Sequence, residues 1–110
     1  MSNLADQKCP PCDDGAKALA GKELTDLERE LGKGWKVVNG HHLEKQFTFK
    51  DFRLALEFTN KIGEVAEQVG HHPDIYLTWG KVRVEIFTHK VNGLTKNDFV
   101  LAAKFEKVTG

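Results

Sequence analysis

Apolar positions along this chain change their period several times, and each change marks the border of an element. Between Lys17 and Leu31 the apolar residues Leu19, Leu24, Leu27 and Leu31 recur at mostly helical intervals. Thr25 and Glu28 stand there in the spacing of a capping box, which predicts a helix that begins near Thr25. Gly32 and Gly34 stop it. Trp35, Val37 and Val38 then open a strand that breaks at Asn39-Gly40, a dipeptide suited to a tight hairpin turn. In the returning strand Leu43, Lys45, Phe47 and Phe49 share one face, while His42, Glu44, Gln46 and Thr48 share the other.

A second capping-box spacing, Thr48 with Asp51, precedes Phe52, Ala55, Phe58, Ile62, Val65, Ala66 and Val69, and this periodic stretch predicts a long central helix that ends near Gly70. Pro73 forces extended backbone on His72. Ile75, Leu77 and Trp79 then alternate with Asp74, Tyr76 and Thr78 as a strand, and Gly80 offers the turn. Val82, Val84, Ile86 and Thr88 form the buried face of the next strand; Lys81, Arg83, Glu85, Phe87 and His89 form its more polar face. Thr95 and Asp98 repeat the capping-box spacing before a last helix that carries Phe99, Val100, Ala102, Ala103, Phe105 and Val108. The order α-β-β-α-β-β-α predicts an α+β fold, a four-stranded antiparallel sheet with three helices packed on one face.

Composition adds limits. With 110 residues, 40% of them apolar, the chain suits one domain with one core. We expect a polar leader over residues 1–15 and a single domain over residues 16–110. Sixteen basic and sixteen acidic residues give a net charge of +0, so no overall field draws the chain to nucleic acid or to an anionic membrane. No apolar run approaches the roughly 20 residues of a membrane span, and the start lacks the basic-then-apolar order of a secretory signal; a cytoplasmic location is the expectation. Cys9 and Cys12 form CPPC inside the leader. A lone pair is more often an inert tail than half of a metal site completed by His41, His42 or another subunit.

Five histidines are the conspicuous chemistry, and His71, His72 and His89 fall around one predicted helix-to-strand corner and the end of a neighbouring strand. Imidazole titrates near ~6.5 in water, so it suits a reaction that needs an acid and a base together. A surface histidine taken alone is more often a solvated polar group. Zinc is the rival use, but adjacent His71 and His72 should diverge in extended structure around Pro73. No phosphate-binding glycine loop or nucleophile elbow occurs.

At this corner the sequence resembles the pterin-4a-carbinolamine dehydratases, whose mammalian members double as a dimerisation cofactor of a homeodomain transcription factor. The resemblance rests on Glu67, His71-His72-Pro73, Trp79, His89 and Asp98 with their spacings, and on the FTFKDF segment from Phe47 to Phe52; it runs from about Leu24 to Val108. It implies a hydro-lyase that dehydrates 4a-hydroxytetrahydropterin to quinonoid dihydropterin with no organic cofactor and no metal. The substrate would come from an aromatic amino-acid hydroxylase. By this match His71, His72 and His89 are the catalytic candidates, and Glu67, Asp98, Pro73 and Trp79 the substrate-binding or orienting ones. Glu67 is placed to orient an imidazole or to meet the pterin's N–H edge. Asp98 has a capping role open to it as well, while Pro73 and Trp79 are expected to serve mainly structure. The resemblance further implies a homodimer or homotetramer. The rival reading is a self-associating interaction module with secondary or no enzymatic activity, and direct nucleic-acid or membrane binding is not expected.

Overall fold

In the computed structural model, which describes residues 18–109, helices and strands alternate as α1 (Gly21–Leu31), β1 (Lys36–Val38), β2 (His42–Thr48), α2 (Phe52–Val69), β3 (Asp74–Thr78), β4 (Lys81–Ile86) and α3 (Lys96–Thr109). The α+β class and the element order are those that the apolar pattern predicts. The leader with Cys9 and Cys12 lies outside the described residues.

All strand pairs are antiparallel, and the spatial order is β1-β2-β4-β3. Strand β4 therefore inserts between β2 and β3, which run parallel to each other on its two sides, and α2 carries the chain across the gap as in a split βαβ unit. Period-two alternation aims Leu43, Phe47, Val82, Val84 and Ile86 at the helices, where they are buried with Ala55, Phe58, Ile62 and Ala66 of α2 and Phe99, Leu101 and Phe105 of α3. Each large side chain so buried contributes about 2 kcal/mol. Phe58 is the hinge of this contact, with ring centroids 4.6 Å from Phe47 and 5.1 Å from Phe49. Lys45 shares the inner face but sits at its edge, where its ammonium donates to Glu106 Oε2 of α3 at 2.7 Å. The Trp35 indole N–H donates to the same oxygen at 3.0 Å.

The larger departures from the sequence expectations fall at three borders, while Trp35, Phe49 and Trp79 each lie one residue outside their expected strands. Helix α1 starts at Gly21, four residues before Thr25, and its N-cap Ala20 makes no side-chain cap bond. The Thr25 hydroxyl instead donates to Gly21 O within the helix, and Glu28 accepts from the Val37 N–H at 2.8 Å, so a tertiary bond to β1 takes the carboxylate that a capping box would use. Helix α2 is capped by Asp51 itself, whose carboxylate accepts from Leu54 N–H at 2.9 Å, while Thr48 remains the last residue of β2. Strand β4 ends at Ile86; the chain then turns, with Thr88 N–H donating to Gly93 O at 2.8 Å and Asn92 N–H to His89 O at 3.2 Å. The Asn39-Gly40 turn forms as expected, both residues at positive φ between the paired Val38 and His42. Among the described residues no helix is long and apolar enough to cross a membrane.

Candidate active site

The corner after α2 is set by backbone. Gly70 caps the helix at φ 73°, a left-handed conformation that glycine takes without a Cβ penalty, and its N–H donates to Ala66 O at 2.9 Å. The next N–H, that of His71, reaches the same carbonyl at 3.2 Å. Pro73 then commits the chain to β3, so the two histidines between helix and strand leave in different directions.

His71 turns inward. Its Nε2 lies 2.5 Å from Oδ1 of Asp98, a residue of α3 with 0% exposure. The other carboxylate oxygen accepts from the Thr88 hydroxyl at 2.8 Å and from the Thr95 N–H at 2.7 Å. The Thr88 and Thr95 hydroxyls are themselves 2.9 Å apart. Burying a carboxylate is costly unless donors surround it, and here three converge on one side chain. Asp98 thus serves the start of α3 and holds His71 at once. Since a carboxylate only accepts, the His71 Nε2 carries a proton, and in the neutral ring Nδ1 keeps the lone pair.

His72 turns outward. It is exposed, and its Nε2 lies 2.7 Å from Oε2 of Glu67 in the last turn of α2, itself largely exposed. Glu67 therefore meets an imidazole, that of His72. His89 stands exposed in the turn after β4, next to Thr88, and its ring packs on Phe87 with centroids 4.2 Å apart; Phe87 packs in turn on His41 at 4.5 Å. Pro73 is partly buried at the entry to β3. Trp79 is 71% exposed at the β3–β4 turn, at the far end of a five-residue strand. A strand of that length puts it roughly 17 Å from the corner, so one chain does not bring Trp79 to the histidines.

Thr88, Thr95 and Phe87 belong to the site and were not singled out for it by sequence. Thr88 had a signal: it continues the buried stripe of Val82, Val84 and Ile86, and a hydroxyl on an apolar stripe needs a partner. An open depression of about 580 Å³ beside the corner is lined by Thr59, Asn60, Gly63, Glu64, Glu67 and Ile75 among others; it includes Glu67 but none of the three histidines.

Known proteins match this chain at the level of sequence and of fold. Residues 17–108 match the family of pterin 4 alpha carbinolamine dehydratases. A protein of Alkaliphilus metalliredigens named as a pterin-4-alpha-carbinolamine dehydratase is 51% identical over 107 residues, 97% of this chain and 96% of that protein. One of Rubrobacter xylanophilus with the same name is 50% identical over 98% of this chain and 100% of its own length. A crystal structure from Brucella melitensis, described as a transcriptional coactivator/pterin dehydratase, superposes with a TM-score of 0.79 at 33% identity, covering 86% of this chain and all of that one. The chain belongs to the pterin-4-alpha-carbinolamine dehydratase family of hydro-lyases.

Proposed function

We propose that this protein dehydrates a 4a-hydroxytetrahydropterin to the quinonoid dihydropterin by histidine acid-base catalysis, within tetrahydropterin recycling in the cytoplasm. The reaction breaks the C4a–O bond, removes the proton from N5 and forms the C4a=N5 double bond, with water leaving. It needs a proton donor at the hydroxyl and an acceptor, direct or relayed, at N5. The observation that carries the reading is the His71–Asp98 bond at 2.5 Å. A buried, triply bonded carboxylate fixes the orientation of that ring and holds the proton on Nε2, so Nδ1 is presented for proton exchange.

His89, exposed and steadied on Phe87, supplies the second acid-base group. His72 is a further proton donor or a positioning group, held by Glu67. Asp98 acts through His71, and Pro73 acts by setting the corner. Trp79 serves the β3–β4 turn. Neither organic cofactor nor metal takes part in these steps.

The test is stopped-flow absorbance of enzymatically generated 4a-hydroxytetrahydropterin, decaying with and without the protein in the presence of a chelator. Acceleration that survives the chelator and is lost in His89→Ala supports the reading; absence of acceleration overturns it. A second reading, an interaction module, is favoured by the description of the Brucella structure as a coactivator as well as a dehydratase. Exposed Phe52 and Leu56, one turn apart on α2, give such a module, or a homodimer or homotetramer, apolar side chains to bury. Light scattering on the purified chain separates these: a monomer at all concentrations removes the self-associating module.

A further inference from the structure

Away from the corner, the face of the sheet that no helix covers among the described residues carries a second group of ligand-type side chains. His42 and Glu44 occupy alternate positions of β2, and Glu85 of β4 stands directly opposite Glu44 in the register. One ligand atom from each of the three lies within 4.8 Å of the others, and all three residues are partly buried. Two carboxylates directly opposed across a strand pair repel each other unless a cation or donor sits between them. Arg83 offsets part of this, with Nε 3.2 Å from Glu85 Oε2.

A chain of hydrogen bonds from outside the group bears on the histidine. His41 Nε2 lies 3.0 Å from Oδ1 of Asn92, an oxygen that can only accept, so His41 carries its proton there. In the neutral His41 ring Nδ1 is then an acceptor, and it lies 3.1 Å from His42 Nδ1. His42 therefore donates from Nδ1. Its Nε2, 3.5 Å from Glu44 Oε1, faces the two carboxylates. A neutral imidazole would present a lone pair to two anionic oxygens, so the gap takes a positive charge, either a proton on Nε2 or a bound cation in its place. Metal-ligating histidines commonly donate their remote N–H to an acceptor that orients the ring, which is the part His41 plays here. Two ligand atoms on one tetrahedral zinc lie about 3.3 Å apart, close to the His42–Glu44 separation, and rotation of the carboxylates closes the wider gaps.

We propose that His42, Glu44 and Glu85 form a binding site for a divalent transition metal of the zinc class, with His41 and Asn92 as positioning residues and at least one coordination position left open. One imidazole and two carboxylates suit zinc and its neighbours better than copper(I), which prefers sulfur. The site uses none of His71, His72 and His89 as a ligand, although His41 and His89 both pack on Phe87, and its existence does not depend on the dehydratase reading.

The experiment titrates Zn²⁺, and Co²⁺ as a coloured probe, into the full chain carrying Cys9→Ser and Cys12→Ser, with a chromophoric chelator in competition. Binding of one equivalent is expected, lost in His42→Ala and in Glu85→Gln. About tenfold weaker binding is expected in His41→Ala, the lower end for an outer-shell change. Histidine NMR signals assign the place: zinc should move those of His42 and His41. Failure of the Cys-to-Ser chain to bind, unchanged binding in a His42→Ala protein with the parent's circular dichroism, or shifts centred on His71 and His89 would each overturn the proposal.

Discussion

His71 and His72 are neighbours in sequence and opposites in surroundings. His71 meets a carboxylate that is fully buried and held by Thr88 and Thr95, while His72 meets one that is mostly exposed on the last turn of α2. The same imidazole–carboxylate pair thus occurs twice within a few residues of chain. In the first, nothing can move without leaving buried polar atoms unpaired, which costs about 1–3 kcal/mol per group. In the second, water replaces either partner, and such exposed pairs contribute about 0–1 kcal/mol. The difference teaches that a histidine–carboxylate distance alone says little about function; what surrounds the carboxylate decides whether the ring is held or merely accompanied.

The contrast is open to test from its strongest side first. His71→Ala should lower kcat by about 10² to 10⁴, the range of an acid-base residue, with near-UV circular dichroism retained; His89→Ala should do the same. A loss confined to KM in either would mean that the ring binds and does not transfer protons. Asp98→Ala should lower the unfolding free energy by about 3 kcal/mol in urea titration, since it strands the Thr95 N–H, removes the partner of His71 and leaves the Thr88 hydroxyl only Thr95, and should lower kcat with it. His72→Ala should cost less than about 10² in kcat, and an effect equal to that of His71 would erase the distinction between the two pairs. Glu67→Gln should change stability by less than about 1 kcal/mol. His41→Ala should leave turnover nearly unchanged, and a loss as large as that of His71→Ala would relocate the site.

Much of this was legible beforehand. The alternation of Val82, Val84 and Ile86 and the helical stripe from Phe52 to Val69 place both main elements because burial enforces a period, and a period can be read from one sequence. The divergence of His71 and His72 followed from Pro73. Which partner each would find did not, because Asp98 is 27 residues from His71 and is brought to it by packing of α3 against α2. The capping boxes show the same limit: the Thr25–Glu28 spacing was right for a cap, yet Glu28 is taken by Val37 of the next element. The family resemblance also grouped Trp79 with the histidines, although an extended strand carries it away from them.

The insertion of β4 between two strands made before it has a consequence for biosynthesis. As the chain leaves the ribosome, β2, α2 and β3 emerge with a vacant slot in the sheet, and neither β2 nor β3 has its central partner until residues 81–86 follow. Closing that slot is a non-local step, slow relative to hairpin formation. Asp98 emerges later still. A nascent chain therefore passes through a stage that exposes two unpaired strand edges and holds His71 without its carboxylate, so a product truncated before β4 is both open to aggregation and without the pairing at the corner, while one truncated between β4 and α3 lacks the pairing alone.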